Sequence, residues 1–236
     1  MASPAEITTS KGITAQVIRT SRTKTAQVRV DDGKVSILVP DDLSDSRIDA
    51  ILTKKTQWIR QKLCLQGQAV SVQPKEYVSG ESFSYLGRNY RLKVLKGSQS
   101  SAKLLNGRLQ VILPTGSNSP EKVRDALTGW YRSHAEIKIQ EKVARYASIV
   151  GVEPASVGIH TFKSRWGSCH QSGDLVYNWK IIVAPNRIVD YVVVHELCHL
   201  KQHDHSDKFW KRVGQVIPEY AQCKEWLRVN GGRLVV

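Results

Sequence analysis

The run VVVHELCHL, Val192 to Leu200, constrains this chain more than any other stretch of it. With Ile188 and Val189 ahead of it, the run has the apolar character of a buried helix, yet it places two histidines and a glutamate inside. Polar rings and a carboxylate are costly to bury without a partner, so the helix must supply one. On a helix, His195 and His199 lie four residues apart, one turn from each other on the same face. That spacing lets two imidazole nitrogens converge on one metal ion at about 2.0–2.1 Å. Glu196 follows the first of them and points beside the metal. There a carboxylate can take a proton from a water that the metal activates. The run is the HExxH pattern of metal-dependent hydrolases, and its competing reading is a chance match on a core helix.

A tetrahedral catalytic zinc needs a third protein ligand and one open position. Downstream stand His203, Asp204, His205, Glu219 and Glu225. His203 keeps to the same helical face but sits a further turn away. His205 lies just past the expected helix end, where the chain can turn back under the metal. It is the preferred third ligand, with Glu219 on the following helix as its rival. The spacing HExxHxxxxxH is that of metzincins, which use a glycine for the turn; Gln202 holds that position here, so a standard metzincin is not expected.

The rest of the composition narrows the setting. The chain has 236 residues and a net charge of +14, with +9 over residues 1–120 and +5 over 121–236. A basic surface of this kind attracts nucleic acid, anionic membrane or acidic partners without reading any of them specifically. No segment approaches a membrane span, and MASPAEITTS lacks the basic and apolar regions of a secretory signal. Cys64, Cys169, Cys198 and Cys223 form no CxxC, against a disulfide framework or zinc ribbon. A cytoplasmic location is expected. The oligomeric state is not set by any of this.

Period-two alternation from Ile13 to Val39, with a turn at 31–33, predicts a hairpin. Pro40 ends it, and a helix bearing Trp58 follows. QGQAVSVQPK reads as a connection. Further strands run through 83–114 with turns at Leu86-Gly87 and Asn106-Gly107. The sequence Gly33-KVSILVP followed by a helix with Trp58 is echoed by Gly107-RLQVILP followed by a helix with Trp130. A repeated supersecondary unit explains this echo, and so does a shared preference for hairpin followed by helix. Ser119 and Pro120 open a long helix towards Ile149 and Gly151. TFKSRWGSCHQSGDLVYNWKIIVAP reads as a pair of strand-like pieces around a turn. Ser206 caps one more helix, and Tyr220 to Asn230 form the last.

Within SRWGSC, Gly167 allows a close backbone approach. Arg165 would steady an oxyanion or anchor a substrate carboxylate, unless it and Trp166 only pack. Tyr220 is a second candidate for the oxyanion. Tyr177 and Asn178 are placed on a strand lining the cleft.

SRWGSC at 164–169, YNWKIIVAP at 177–185, VVVHELCHL at 192–200, HSDKFW at 205–210 and the terminal PEYAQCKEWL together resemble the YgjP-like metallopeptidase family, kin of SprT-type zincins. The resemblance implies zinc held by His195, His199 and His205, with Glu196 catalytic and a protein or peptide as substrate. The expected fold is α+β: a strand-rich region with one helix over residues 1–115, then a zincin-like domain over 116–236 with its active-site helix packed on a small sheet. Two other readings stay open. A three-histidine endoribonuclease shares the HELCHLKQHDH spacing but has glycine where this chain has Glu196, and a peptidase acting on nucleic-acid-bound proteins would suit the charge.

Overall fold

The computed structural model describes residues 6–21, 25–31, 33–68, 74–116 and 119–236. It is a mixed α+β chain that divides into two compact units, Met1–Val72 and Gln73–Val236. The division expected at 115/116 is therefore displaced. The strands before residue 115 share one core with the long helix after it, so no boundary falls between them.

In the first unit, β1 (Glu6–Thr8), β2 (Thr14–Thr20), β3 (Gln27–Asp31) and β4 (Lys34–Pro40) form a sheet of order β1-β2-β4-β3. Strands β2 and β4 run parallel, and the outer pairs are antiparallel. Helices α1 (Asp45–Lys54) and α2 (Thr56–Gln68) follow. Ala15, Val17, Val35, Ile37 and Val39 face Ile48, Leu52 and Ile59 in a core of this unit's own. Part of the QGQAVSVQPK connection lies outside the described residues, as does Asp32 of the hairpin turn.

The second unit opens with the same topology. Strands β5 (Ser82–Tyr85), β6 (Arg88–Gly97), β7 (Ser101–Leu105) and β8 (Arg108–Pro114) form a sheet of order β5-β6-β8-β7, again with a parallel central pair. Lys34 of β4 and Arg108 of β8 both follow a turn glycine, Gly33 at φ 75° and Gly107 at φ 71°. Both strands end on a proline, which pairs with the end of its parallel neighbour. The sequence echo is thus a repeated unit, anchored where the backbone demands glycine or proline. Its tryptophans are not equivalent: Trp58 is 39% exposed and Trp130 is 7%.

Helix α3 (Pro120–Val150) is capped by the Ser119 hydroxyl, which accepts from the Lys122 N–H at 3.4 Å, and stops at Gly151 in a left-handed conformation. Its stripe Val123, Leu127, Tyr131, Ala135, Ile139 and Val143 is buried. A three-stranded sheet of order β10-β11-β9 comes next, from β9 (Ser156–His160), β10 (Gly167–Cys169) and β11 (Asp174–Asn178). Trp179–Val183, expected to be strand-like, is a short 3₁₀ helix, because the Asn178 side chain accepts from the Lys180 N–H and caps a turn. Then follow α4 (Asn186–His199), α5 (Asp207–Val216) and α6 (Tyr220–Asn230). No helix among the described residues is long and apolar enough to cross a membrane.

Candidate metal centre

Helix α4 is apolar almost all round, which makes it a core helix. Ile188, Val189, Val193 and Leu197 are at most 1% exposed, and each buried side chain of this kind contributes about 1.5–3 kcal/mol. The Lys142 ammonium donates to the Asp190 carboxylate at 2.6 Å and ties α4 to α3, with both side chains largely shielded. The helix that bears the histidines is therefore held on several sides.

His195, His199 and His205 come together at its C-terminal end, with one ligand atom of each within 4.8 Å of the others. Nε2 of His195 lies 3.2 Å from Nε2 of His199 and 3.1 Å from Nε2 of His205. Three imidazole nitrogens bound to one tetrahedral ion stand about 3.3–3.4 Å apart. Nδ1 of His199 lies 3.0 Å from the Gln202 carbonyl and must donate to it, which leaves its Nε2 as a lone pair aimed at the cluster. The His195 Nδ1 is buried without a partner among the described residues. Burial, reinforced by His199 and His205, pulls the His195 ring down to about 3, so it stays neutral. Imidazole nitrogens turned on one another at these distances fit a divalent ion of the zinc type.

The loop that returns His205 to the helix does so without glycine. The Gln202 N–H donates to the Cys198 carbonyl. Its side-chain amide donates to Asp204 Oδ1 at 2.7 Å, and that oxygen also accepts from the Ser206 N–H at 3.2 Å. Gln202 is not in the left-handed region, so a Cβ is no obstacle there. Beneath the three rings lies Phe209, stacked on His199 with centroids 4.4 Å apart, and Trp210 stacks on His205. His203 and Glu219 do not join the cluster. Glu219 precedes α6, where its charge acts on Tyr146 and Cys223.

Glu196 is 6% exposed and faces a cleft of about 220 Å³ that it shares with Arg165, Trp166, Gly167, Tyr191 and His195. Burial raises its carboxyl to about 7, partly offset by the Arg165 guanidinium. Strand β10 packs against the helix at this point. A Cβ on Gly167 would lie 2.6 Å from Glu196 Oε1 and 2.7 Å from its Cδ, so any larger residue has to push the carboxylate aside. Arg165 reaches the cleft from the loop before β10, with Nη1 3.4 Å from the Ser168 hydroxyl.

Several site residues were not anticipated. Tyr191, one turn before His195 on the same face, walls the cleft with Val192 and Leu227. Its spacing from His195 was the available signal. Tyr220 instead stacks on Trp210, outside the cleft lining. Tyr177 is fully buried on the central strand and donates to the Val193 carbonyl at 3.4 Å.

Asn178 holds the loop in place rather than lining the cleft. Its amide donates to the carbonyls of Phe162 and Arg165 at 3.0 and 3.1 Å, and its own N–H donates to the Trp166 carbonyl. Asn178→Ala strips partners from two carbonyls and the Lys180 N–H at a buried position. It is expected to destabilise the fold by about 2–4 kcal/mol, as read from urea unfolding.

The comparison with curated proteins found no match. Among solved structures, the metallopeptidase zymogen abylysin of Pyrococcus abyssi is 25% identical, covers 37% of this chain and 86% of its own, and gives a TM-score of 0.34. The family model described as YgjP-like, metallopeptidase domain, matches residues 24–230, a span that includes the sheet of β5 to β8 as well as the histidine cluster and the strand beneath Glu196, and the chain belongs to that family.

Proposed function

We propose that the chain is a zinc-dependent peptidase of zincin-like construction, with His195, His199 and His205 as metal ligands and Glu196 as general base. The observation that carries this is the convergence of three imidazole nitrogens beside a buried carboxylate that opens on a cleft. Zinc, when bound, supplies a Lewis acid that polarises the scissile carbonyl and brings the pKa of the attacking water towards 7. The chain's own residues do the rest. Glu196 takes the proton of that water and returns it to the leaving amine. Arg165, at the mouth of the same cleft, offers a cation to the developing oxyanion or to a substrate carboxylate. Trp166, Tyr191, Val192 and Leu227 give the cleft an apolar wall and limit water.

The test is metal content by elemental analysis in the wild type, His205→Ala and Glu219→Ala, with cleavage of casein followed alongside. Near-stoichiometric zinc in the wild type and Glu219→Ala, with zinc and cleavage both lost in His205→Ala, is the expected pattern. Loss of zinc on Glu219→Ala with retention on His205→Ala would overturn the ligand set. RNA cleavage that persists without Glu196 would overturn the peptidase reading.

A further inference from the structure

The sheet of β5 to β8 carries a charge pattern that peptide hydrolysis does not use. Its four strands hold Arg88, Arg91, Lys93, Lys96, Lys103 and Arg108 and no carboxylate. Side chains alternate across a sheet. Leu92, Leu109 and Val111 enter the core, so Arg91, Lys93, Lys103 and Arg108 stand on the opposite face, and all four are exposed. The register sets Arg91 directly beside Arg108, while Lys93 and Lys103 flank Gln110 from either side. With strands about 4.8 Å apart and alternate residues roughly 7 Å apart along a strand, the four cations share a patch on the order of 10 Å across.

Like charges directly opposite each other destabilise a sheet. Among the described residues no ion pair or hydrogen bond engages any of these four side chains. Glu81, just ahead of β5, is taken by Lys75 at 3.5 Å and by the Tyr77 N–H. The fold itself does not require the pattern. In the repeated sheet of the first unit, Gln16 pairs with Ser36 as Lys93 pairs with Gln110, and Gln16 is flanked by the carboxylate of Glu6. One copy of the same scaffold therefore has a mixed polar face and the other a purely cationic one.

We propose that this face binds the phosphate backbone of a nucleic-acid duplex. A duplex presents one negative charge per about 1.7 Å of axis, enough to meet all four cations at once. The aromatic residues of these four strands, Phe83, Tyr85 and Tyr90, belong to the core face, so the strands offer no ring on the cationic face to stack an unpaired base, which is how single strands are usually gripped. Contacts to phosphate alone hold a duplex without reading its sequence. This assignment is independent of the histidine cluster and of the peptidase reading.

The experiment measures binding of the full chain to a short mixed-sequence DNA duplex across a salt series. Variants are Arg91→Gln/Arg108→Gln, the charge-preserving Arg91→Lys/Arg108→Lys, and a matched neutralisation on α3, Lys122→Gln/Arg132→Gln. Each phosphate contact adds about 0.9 to the slope of log affinity against log salt. The glutamine pair is expected to lower that slope by about 2 and to weaken binding roughly 60-fold at about 0.1 M salt. The lysine pair and the α3 pair should stay near wild type. No duplex binding by the wild type, or equal losses in the two neutralised pairs, would overturn the proposal. Tighter patch-dependent binding of poly-glutamate or anionic vesicles than of the duplex would do so as well.

Discussion

Glu196→Gln is expected to lower peptide cleavage by roughly 10²- to 10⁴-fold while zinc content stays at the wild-type level. Glutamine keeps the length and shape of the side chain, so it still fits against Gly167 and still lines the cleft. What it loses is the ability to accept a proton. Among the described residues none of the three histidines hydrogen-bonds to Glu196, and the charge that acts on it is that of Arg165, so the histidine cluster should survive intact. Stability should not fall, because the substitution removes a charge from a position that is 6% exposed. Parallel measurements of zinc, thermal midpoint and casein cleavage separate the outcomes. Activity within tenfold of wild type would remove Glu196 from the role of base. Lost zinc would mean that it holds the metal site together instead.

The parts of this molecule that sequence made legible are those written in local spacing. His195 and His199 share a helix, and His205 follows within one loop, so a four-residue and a six-residue interval suffice to gather them. The repeat was legible for a related reason. Gly33 and Gly107 sit where φ is positive, and Pro40 and Pro114 close their strands, so the backbone itself demands those residues. The tryptophans answer to packing, and they drifted. Periodicity names elements but not their neighbours, which is why the boundary was misplaced. Phe83, Tyr85, Leu92 and Leu109 read as one more sheet, and only the structure shows them sharing a core with Leu127 and Tyr131. Gln202 shows the limit of analogy from a motif. A glycine was the expected turn device, and a carbonyl acceptor plus a side-chain bond to Asp204 take its place.

Gly167→Ala is expected to displace the Glu196 carboxylate and so to damage catalysis. The alanine Cβ would stand 2.6 Å from both Cγ and Oε1 of Glu196, well inside any tolerated contact. Neither the strand nor the helix can yield cheaply. Strand β10 is held by its pairing with β11, from Gly167 opposite Tyr177 to Cys169 opposite Leu175. Helix α4 is wedged in the core and locked to α3 by Lys142 and Asp190. The freest element is the Glu196 side chain, so the carboxylate should be driven out of its position. A displacement near 1 Å from a productive geometry costs on the order of 10²-fold in rate. The signature is a fall in kcat of about that size with zinc retained, since the added Cβ meets Glu196 and none of the three histidines among its nearest atoms. Overpacking should also cost about 1–3 kcal/mol in urea unfolding. Gly158→Ala on β9 of the same sheet, where an added Cβ meets nothing within 4 Å, is the control and should leave kcat within a few-fold of wild type. Full activity in Gly167→Ala would mean that the close approach of strand and carboxylate does not position the base.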